Sequence, residues 1–116
     1  MADSMKLLKG TLEVMVLKGV SWGPLHGYAI SRWIEAATRG AFDVQEGALY
    51  PALRRMEARG WVRSEWTLTD TGREARVYRL TAEGRKRLRT ETTSWDRYST
   101  AMSRVLHADS AAAGGS

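Results

Sequence analysis

At Gly60 the apolar period of this chain changes, and that change restricts the fold more than any other feature of the sequence. Before it, in QEGALYPALRRMEARG (residues 45–60), Leu49, Ala52, Leu53 and Met56 recur at the spacing of one helix face. After it, WVRSEWTL alternates, with Val62, Trp66 and Leu68 on one side and Arg63, Glu65 and Thr67 on the other, which is the period of a strand. The polar stretch TDTGRE then separates this strand from ARVYRL, a second alternating segment. The pair is expected to form an antiparallel hairpin with Gly72 and Arg73 near its tip.

Pro51 lies inside the helical stretch, where a proline costs about 3 kcal/mol if it falls in a helix interior. The first backbone donors of a helix have no internal partner, so Pro51 is tolerable if the helix begins near Gly47, about one turn earlier. From that origin Tyr50, Arg54 and Arg55 point outward with Pro51 among them.

Two further helices are expected upstream. Leu8, Leu12, Met15 and Gly19 share one face of a helix over residues 7–20, and Ile30, Trp33, Ile34 and Ala37 share one face of a second. Between them SWGPLHG has turn chemistry, and Gly40 is a candidate left-handed cap. Downstream, Thr81 is a fair N-cap for a last helix over residues 82–107, in which Leu88, Trp95 and Met102 recur every seventh residue, flanked by Tyr98, Val105 and Leu106. At 1.5 Å per residue this helix would be about 39 Å long, longer than a small domain is wide. Its apolar stripe then calls for a partner, and a two-fold homodimer is the economical one; a helix folding back on its own domain is the alternative.

Of the 116 residues none is cysteine, which removes disulfides, thiolate metal sites and cysteine nucleophiles. The only histidines are His26 and His107, and no spacing suggests a metal site or a nucleophile–base pair, so neither an enzyme nor a cofactor is expected. No apolar run approaches the roughly 20 residues of a membrane span, and MADSMKLLKG lacks the order of a signal peptide, so the expected location is the cytoplasm.

The net charge of +5 is unevenly placed. Residues 1–53 hold five Lys and Arg against five Asp and Glu, residues 54–89 hold eleven against five, and residues 90–116 hold two against three. A localised positive field suits a polyanion partner, although a solvated basic face would look the same.

Three helices, a hairpin and a helix is the order of a winged helix-turn-helix, whose third helix enters the major groove of DNA. Arg54 and Arg55 suit guanine or phosphate contacts, Tyr50 a phosphate or a base, and Gly47 and Ala48 let the helix start approach a phosphate. Arg73 and Arg76 on the wing suit phosphate, and His26 at a helix start does too. Tyr28 and Arg32, one turn apart, are placed to clamp the backbone, unless Tyr28 packs on the first helix. Each is also what an ordinary exposed polar face would carry. Trp95 is either a dimer-core anchor or, paired across a two-fold axis, one wall of a slot for planar aromatic compounds.

The segments LHGYAI (25–30), GALYPALRRMEARGWV (47–62) and Tyr78-Arg79-Leu80-Thr81 followed by Glu83-Gly84 resemble the PadR-type transcriptional regulators over about residues 8–106. The resemblance implies a winged-helix repressor acting as a homodimer on palindromic promoter DNA, with Tyr50, Arg54 and Arg55 in the reading head. It also implies control by a small aromatic effector in a pocket between C-terminal helices, lined by Leu88, Trp95, Tyr98, Met102, Val105 and Leu106. In the wing the chain departs from the family pattern: Glu74 and Ala75 interrupt the basic run, and Val77 stands where an aromatic is usual. The expected organisation is a DNA-binding domain over residues 1–81, a dimerisation helix over 82–107 and a disordered tail over 108–116. The rival from another class is a winged-helix module that meets an acidic protein surface without specific DNA binding.

Overall fold

The computed structural model describes residue 5 and residues 7–110. Of the stretch expected to be a disordered tail, residues 111–116 lie outside the described residues, as does part of the N-terminal stretch that was read for a leader. The chain is mainly helical with a small antiparallel sheet: α1 (Thr11–Gly19), a 3-10 turn (Val20–Trp22), β1 (Leu25–His26), α2 (Gly27–Ala37), α3 (Glu46–Ala58), β2 (Val62–Leu68), β3 (Glu74–Leu80) and α4 (Ala82–Leu106).

One core joins the first three helices to the sheet. Leu12, Val16 and Leu17 of α1, Ile30 and Ile34 of α2, and Leu49, Ala52, Leu53 and Met56 of α3 close around Val62 and Tyr78. The α3 stripe is the one read from the sequence. The α1 stripe is rotated: Val16 replaces Met15 at its centre, and Leu8, expected inside, is 61% exposed. The cause is Gly10, whose φ of 84° turns the backbone so that α1 starts at Thr11 rather than near residue 7. Likewise Ala37, at the frayed end of α2, is exposed, and Trp33 is only partly buried.

Gly40 does adopt the expected left-handed conformation at φ 82°, and its amide donates to Glu35 O at 2.8 Å, which satisfies a carbonyl at the end of α2. Pro51 is further in than expected. With Gln45 as N-cap and Leu49 N–H already bonded to Gln45 O, Pro51 falls in the second turn and deletes the bond to Gly47 O. Gly47 is exposed, so its carbonyl remains open to water and the loss is softened.

The sheet has three strands, not two, in the order β1-β3-β2. The turn-rich SWGPLHG supplies β1, in which Leu25 pairs with Tyr78 and His26 with Val77. Across the hairpin Val62 pairs with Leu80 and Leu68 with Glu74, leaving residues 69–73 as the loop, with Gly72 at φ 79°. Burial falls steadily toward that loop on the core-facing side of β2: Val62 is buried, Ser64 half-buried, and Trp66 and Leu68 exposed. The last two continue the apolar face of the strand past the edge of the core, which alternation by itself could not reveal.

Thr81 caps α4 as expected, its Oγ1 accepting from Gly84 N–H at 2.9 Å. The helix is about 38 Å long and leaves the body midway. Leu88 is its last core residue, so Leu88 belongs to the chain's own interior and not to the stripe expected to meet a partner. From Asp96 to Leu106 only Ser99 is not exposed. The root of the helix is fastened by Trp61, whose ring lies 4.9 Å from the Arg87 guanidinium and 5.1 Å from that of Arg59.

Candidate nucleic-acid interface

Helix α3 lies across the sheet. Near its far end Glu57 accepts a 2.6 Å hydrogen bond from Ser64 on β2, and near its start Tyr50 packs against Gly27, which follows β1. Tyr50, Arg54 and Glu57 are spaced i, i+4, i+7 and so form one edge of α3, the edge that runs beside the hairpin and is open to solvent at Arg54. Tyr50 is therefore half-buried rather than fully outward. A Cβ at Gly27 would stand 2.6 Å from its hydroxyl, so glycine is what lets the two elements close. Burial, with smaller contributions from Tyr78 and Glu46, pushes the Tyr50 phenol above its ordinary value.

The two arginines that follow are not equivalent. Arg54 is exposed and takes part in none of the ion pairs among the described residues. Arg55 reaches back to α1, where its Nη2 and Nε lie 3.2 and 3.4 Å from Glu13 Oε2. A one-residue step turns a side chain by about 100°, so Arg54 faces the wing edge and Arg55 the α1 edge. Gly47 and Ala48 are exposed at the start of α3, where no side chain caps the free amides.

Around α3 the other expected contacts are dispersed. Tyr28 is 70% exposed on α2, and Arg32, one turn on, pairs with Glu35 at 3.2 Å. Arg73 is exposed at the hairpin tip, while Arg76 lies with its guanidinium 5.0 Å from the Trp66 ring. His26 is not on this surface in any useful sense: it sits on the opposite face of the sheet from Tyr78, and its Nε2 is buried without a hydrogen-bond partner. A phosphate cannot reach that atom. Glu13 and Trp66 also bear on this surface, and neither carries a local signal: the packing of α1 on α3 brings Glu13 to Arg55, and the pairing register brings Trp66 to Arg76.

The stripe on α4 stands apart from these groups. Trp95, Tyr98, Met102, Val105 and Leu106 are 46%, 57%, 40%, 73% and 69% exposed, and the Trp95 and Tyr98 rings stack at 6.1 Å. Beside Trp95 a groove of about 430 Å³ opens between α4 and the segment from Leu8 to Met15, floored by Val14 and Phe42. Its lining is almost wholly apolar. Among the described residues no group of His, Cys, Asp and Glu could hold a metal ion, and no helix is long and apolar enough to cross a membrane.

A helix laid across a three-stranded sheet, with an arginine on its open edge and a hairpin beside it, is the arrangement of a winged helix. Residues 16–90 match the model of the transcriptional regulator PadR-like family. The chain belongs to that family. A transcriptional regulator of Mycobacterium tuberculosis is 35% identical over 81 residues, which are 69% of this chain and 71% of that protein. A 37.1 kDa uncharacterised protein of a transposon in Streptomyces fradiae is 40% identical over 87 residues, 75% of this chain, so that this chain spans only 24% of that relative's length. Among solved structures, a PadR-like transcriptional regulator from Bacillus cereus superposes with a TM-score of 0.76 at 27% identity, covering 88% of this chain and 97% of that one. The PadR-like match ends at residue 90, short of Trp95, so the exposed α4 stripe lies beyond the part of the chain the family model matches.

Proposed function

We propose that this PadR-like chain is a sequence-specific, DNA-binding repressor that acts in the cytoplasm as a homodimer on palindromic promoter DNA and releases it when a small aromatic effector binds. The observation that carries the reading is Arg54: an exposed cation with no ion-pair partner among the described residues, on the open edge of a helix whose uncapped N-terminus lies on the same surface. A guanidinium so held can bridge guanine O6 and N7, while the free amides take a phosphate. A pair of such helices about 34 Å apart would meet successive major grooves. The apolar groove beside Trp95 has the character of a site for a flat, uncharged ring system. Binding there releases DNA only if the ligand favours one dimer arrangement over another.

Two substitutions test the reading head. Arg54→Ala should weaken binding to the duplex upstream of the chain's own gene by about 1–3 kcal/mol while changing random duplex less, measured by fluorescence anisotropy. Equal losses on both duplexes would count against base reading. Glu13→Ala should release Arg55. Arg55 is half-exposed and stays solvated once Glu13, itself only 15% exposed, is removed, so thermal melts should show a stability change of no more than about 1 kcal/mol. In a salt titration the freed arginine should steepen the dependence of log K on log salt by about one. Failure of the wild-type chain to bind any duplex would favour the protein-interaction module instead.

A further inference from the structure

The wing holds an aromatic side chain that the fold does not use. Trp66 is 61% exposed, yet it lies on the side of β2 that faces the core at Val62. The pairing register arranges that side of the sheet in rows. Val62 and Leu80 form the row nearest the core, Ser64 and Tyr78 the next, and Trp66 and Arg76 the one beyond. Helix α3 lies along the middle row, because Glu57 touches Ser64 and the apolar face of α3 packs in one core with Tyr78. Trp66 and Arg76 therefore stand one row tipward of α3, about 7 Å along the strands, beside the edge that carries Arg54.

Their chemistry suits that place. The Arg76 guanidinium lies over the indole at 5.0 Å, which leaves its N–H edge free for two parallel bonds to a phosphate. Glu74 is two residues away on the same strand face, within easy reach of a loose arginine. No Arg76–Glu74 pair is found among the described residues, where the ring holds the guanidinium instead.

We propose that Trp66 is a positioning residue: it keeps Arg76 flat, forked outward and off Glu74, as a clamp for a backbone phosphate of DNA flanking the groove that Arg54 enters. This rests on α3 being the DNA-contacting helix. Arg76 then supplies affinity without sequence preference, and the interrupted basic run of the wing is offset by holding one arginine in place.

A short random-sequence duplex at low salt, followed by anisotropy, reads this directly, because only phosphate contacts contribute there. Arg76→Ala should weaken binding about tenfold and make the salt slope shallower by about one. Trp66→Leu, which preserves every charge, should weaken it about threefold. Trp66→Phe, which keeps an aromatic face, should bind as the wild type does. Arg76→Lys, with its charge intact but no planar fork, should lose about as much as Trp66→Leu. Combined with Arg76→Ala, Trp66→Leu should add nothing further. Adding Glu74→Gln to Trp66→Leu should restore binding, since the competing carboxylate is gone. Wild-type binding by Trp66→Leu, or additive losses in the double variant, would overturn the role of Trp66 and leave the α3 reading standing. No binding by the wild-type chain would overturn both.

Discussion

Gly84→Ala is expected to destabilise the folded chain by about 3 kcal/mol, lowering its melting midpoint by more than about 10 °C. A Cβ at residue 84 would drive into the Trp61 carbonyl oxygen, and would stand 2.9 Å from the carbonyl carbon and 2.7 Å from Leu80 Cδ1. Two of these three atoms are backbone, so no side-chain rotation relieves the clash. The carbonyl is also committed: it accepts from Thr81 N–H at 3.1 Å and Thr81 Oγ1 at 3.0 Å. The same Oγ1 caps α4 through Gly84 N–H, so moving the Trp61 peptide also loosens the cap, itself worth about 1 kcal/mol. Gly47→Ala is the control. A Cβ at Gly47 has nothing within 4 Å, and the substitution should leave stability unchanged or raise it by up to about 1 kcal/mol. Circular dichroism melts of both variants decide the matter, and equal midpoints would show that the α4 root is not closed as described.

The second large effect concerns assembly. Met102→Glu should convert the proposed homodimer to a monomer in light scattering coupled to size exclusion, with the melting midpoint of the core barely changed. Met102 is 40% exposed and lies on the part of α4 that has left the body, so nothing in its own chain suffers from the change. In a two-fold pair the same substitution appears on both subunits, and each unpaired buried carboxylate costs about 3–5 kcal/mol. Affinity for a palindrome should fall by at least about a hundredfold, because a monomer reaches one half-site only. A variant that stays dimeric would place the subunit interface elsewhere. One that turns monomeric yet binds the palindrome unchanged would break the link between assembly and recognition.

The sites were legible from the sequence to different degrees. The α3 stripe of Leu49, Ala52, Leu53 and Met56 was readable because a helix that buries one face repeats its apolar residues locally. The α1 stripe was displaced because Gly10, four residues ahead of Val14, ends the run that Leu8 would otherwise have begun. Arg54 and Arg55 are adjacent in sequence and look alike there. Their difference in the structure is a matter of direction: Glu13, 42 residues away, faces one and not the other. His26 looked like a surface ligand at a helix start and is instead turned to the far side of a strand that its glycine- and proline-rich surroundings had concealed.

The order of helices α1 to α4 and the β2–β3 hairpin, the capping threonine, the hairpin tip and the apolar stripe on the last helix were set by local rules of period, cap and turn, which act within about a dozen residues and can be read in one dimension. Which arginine stays free, which tryptophan carries an arginine on its face, why Gly27 and Gly84 must be glycine, and where α4 leaves the body were decided only when segments distant in sequence met. Those meetings depend on how α3 crosses the sheet and on which row of side chains it covers, and no periodicity along a single chain encodes the angle between two of its parts.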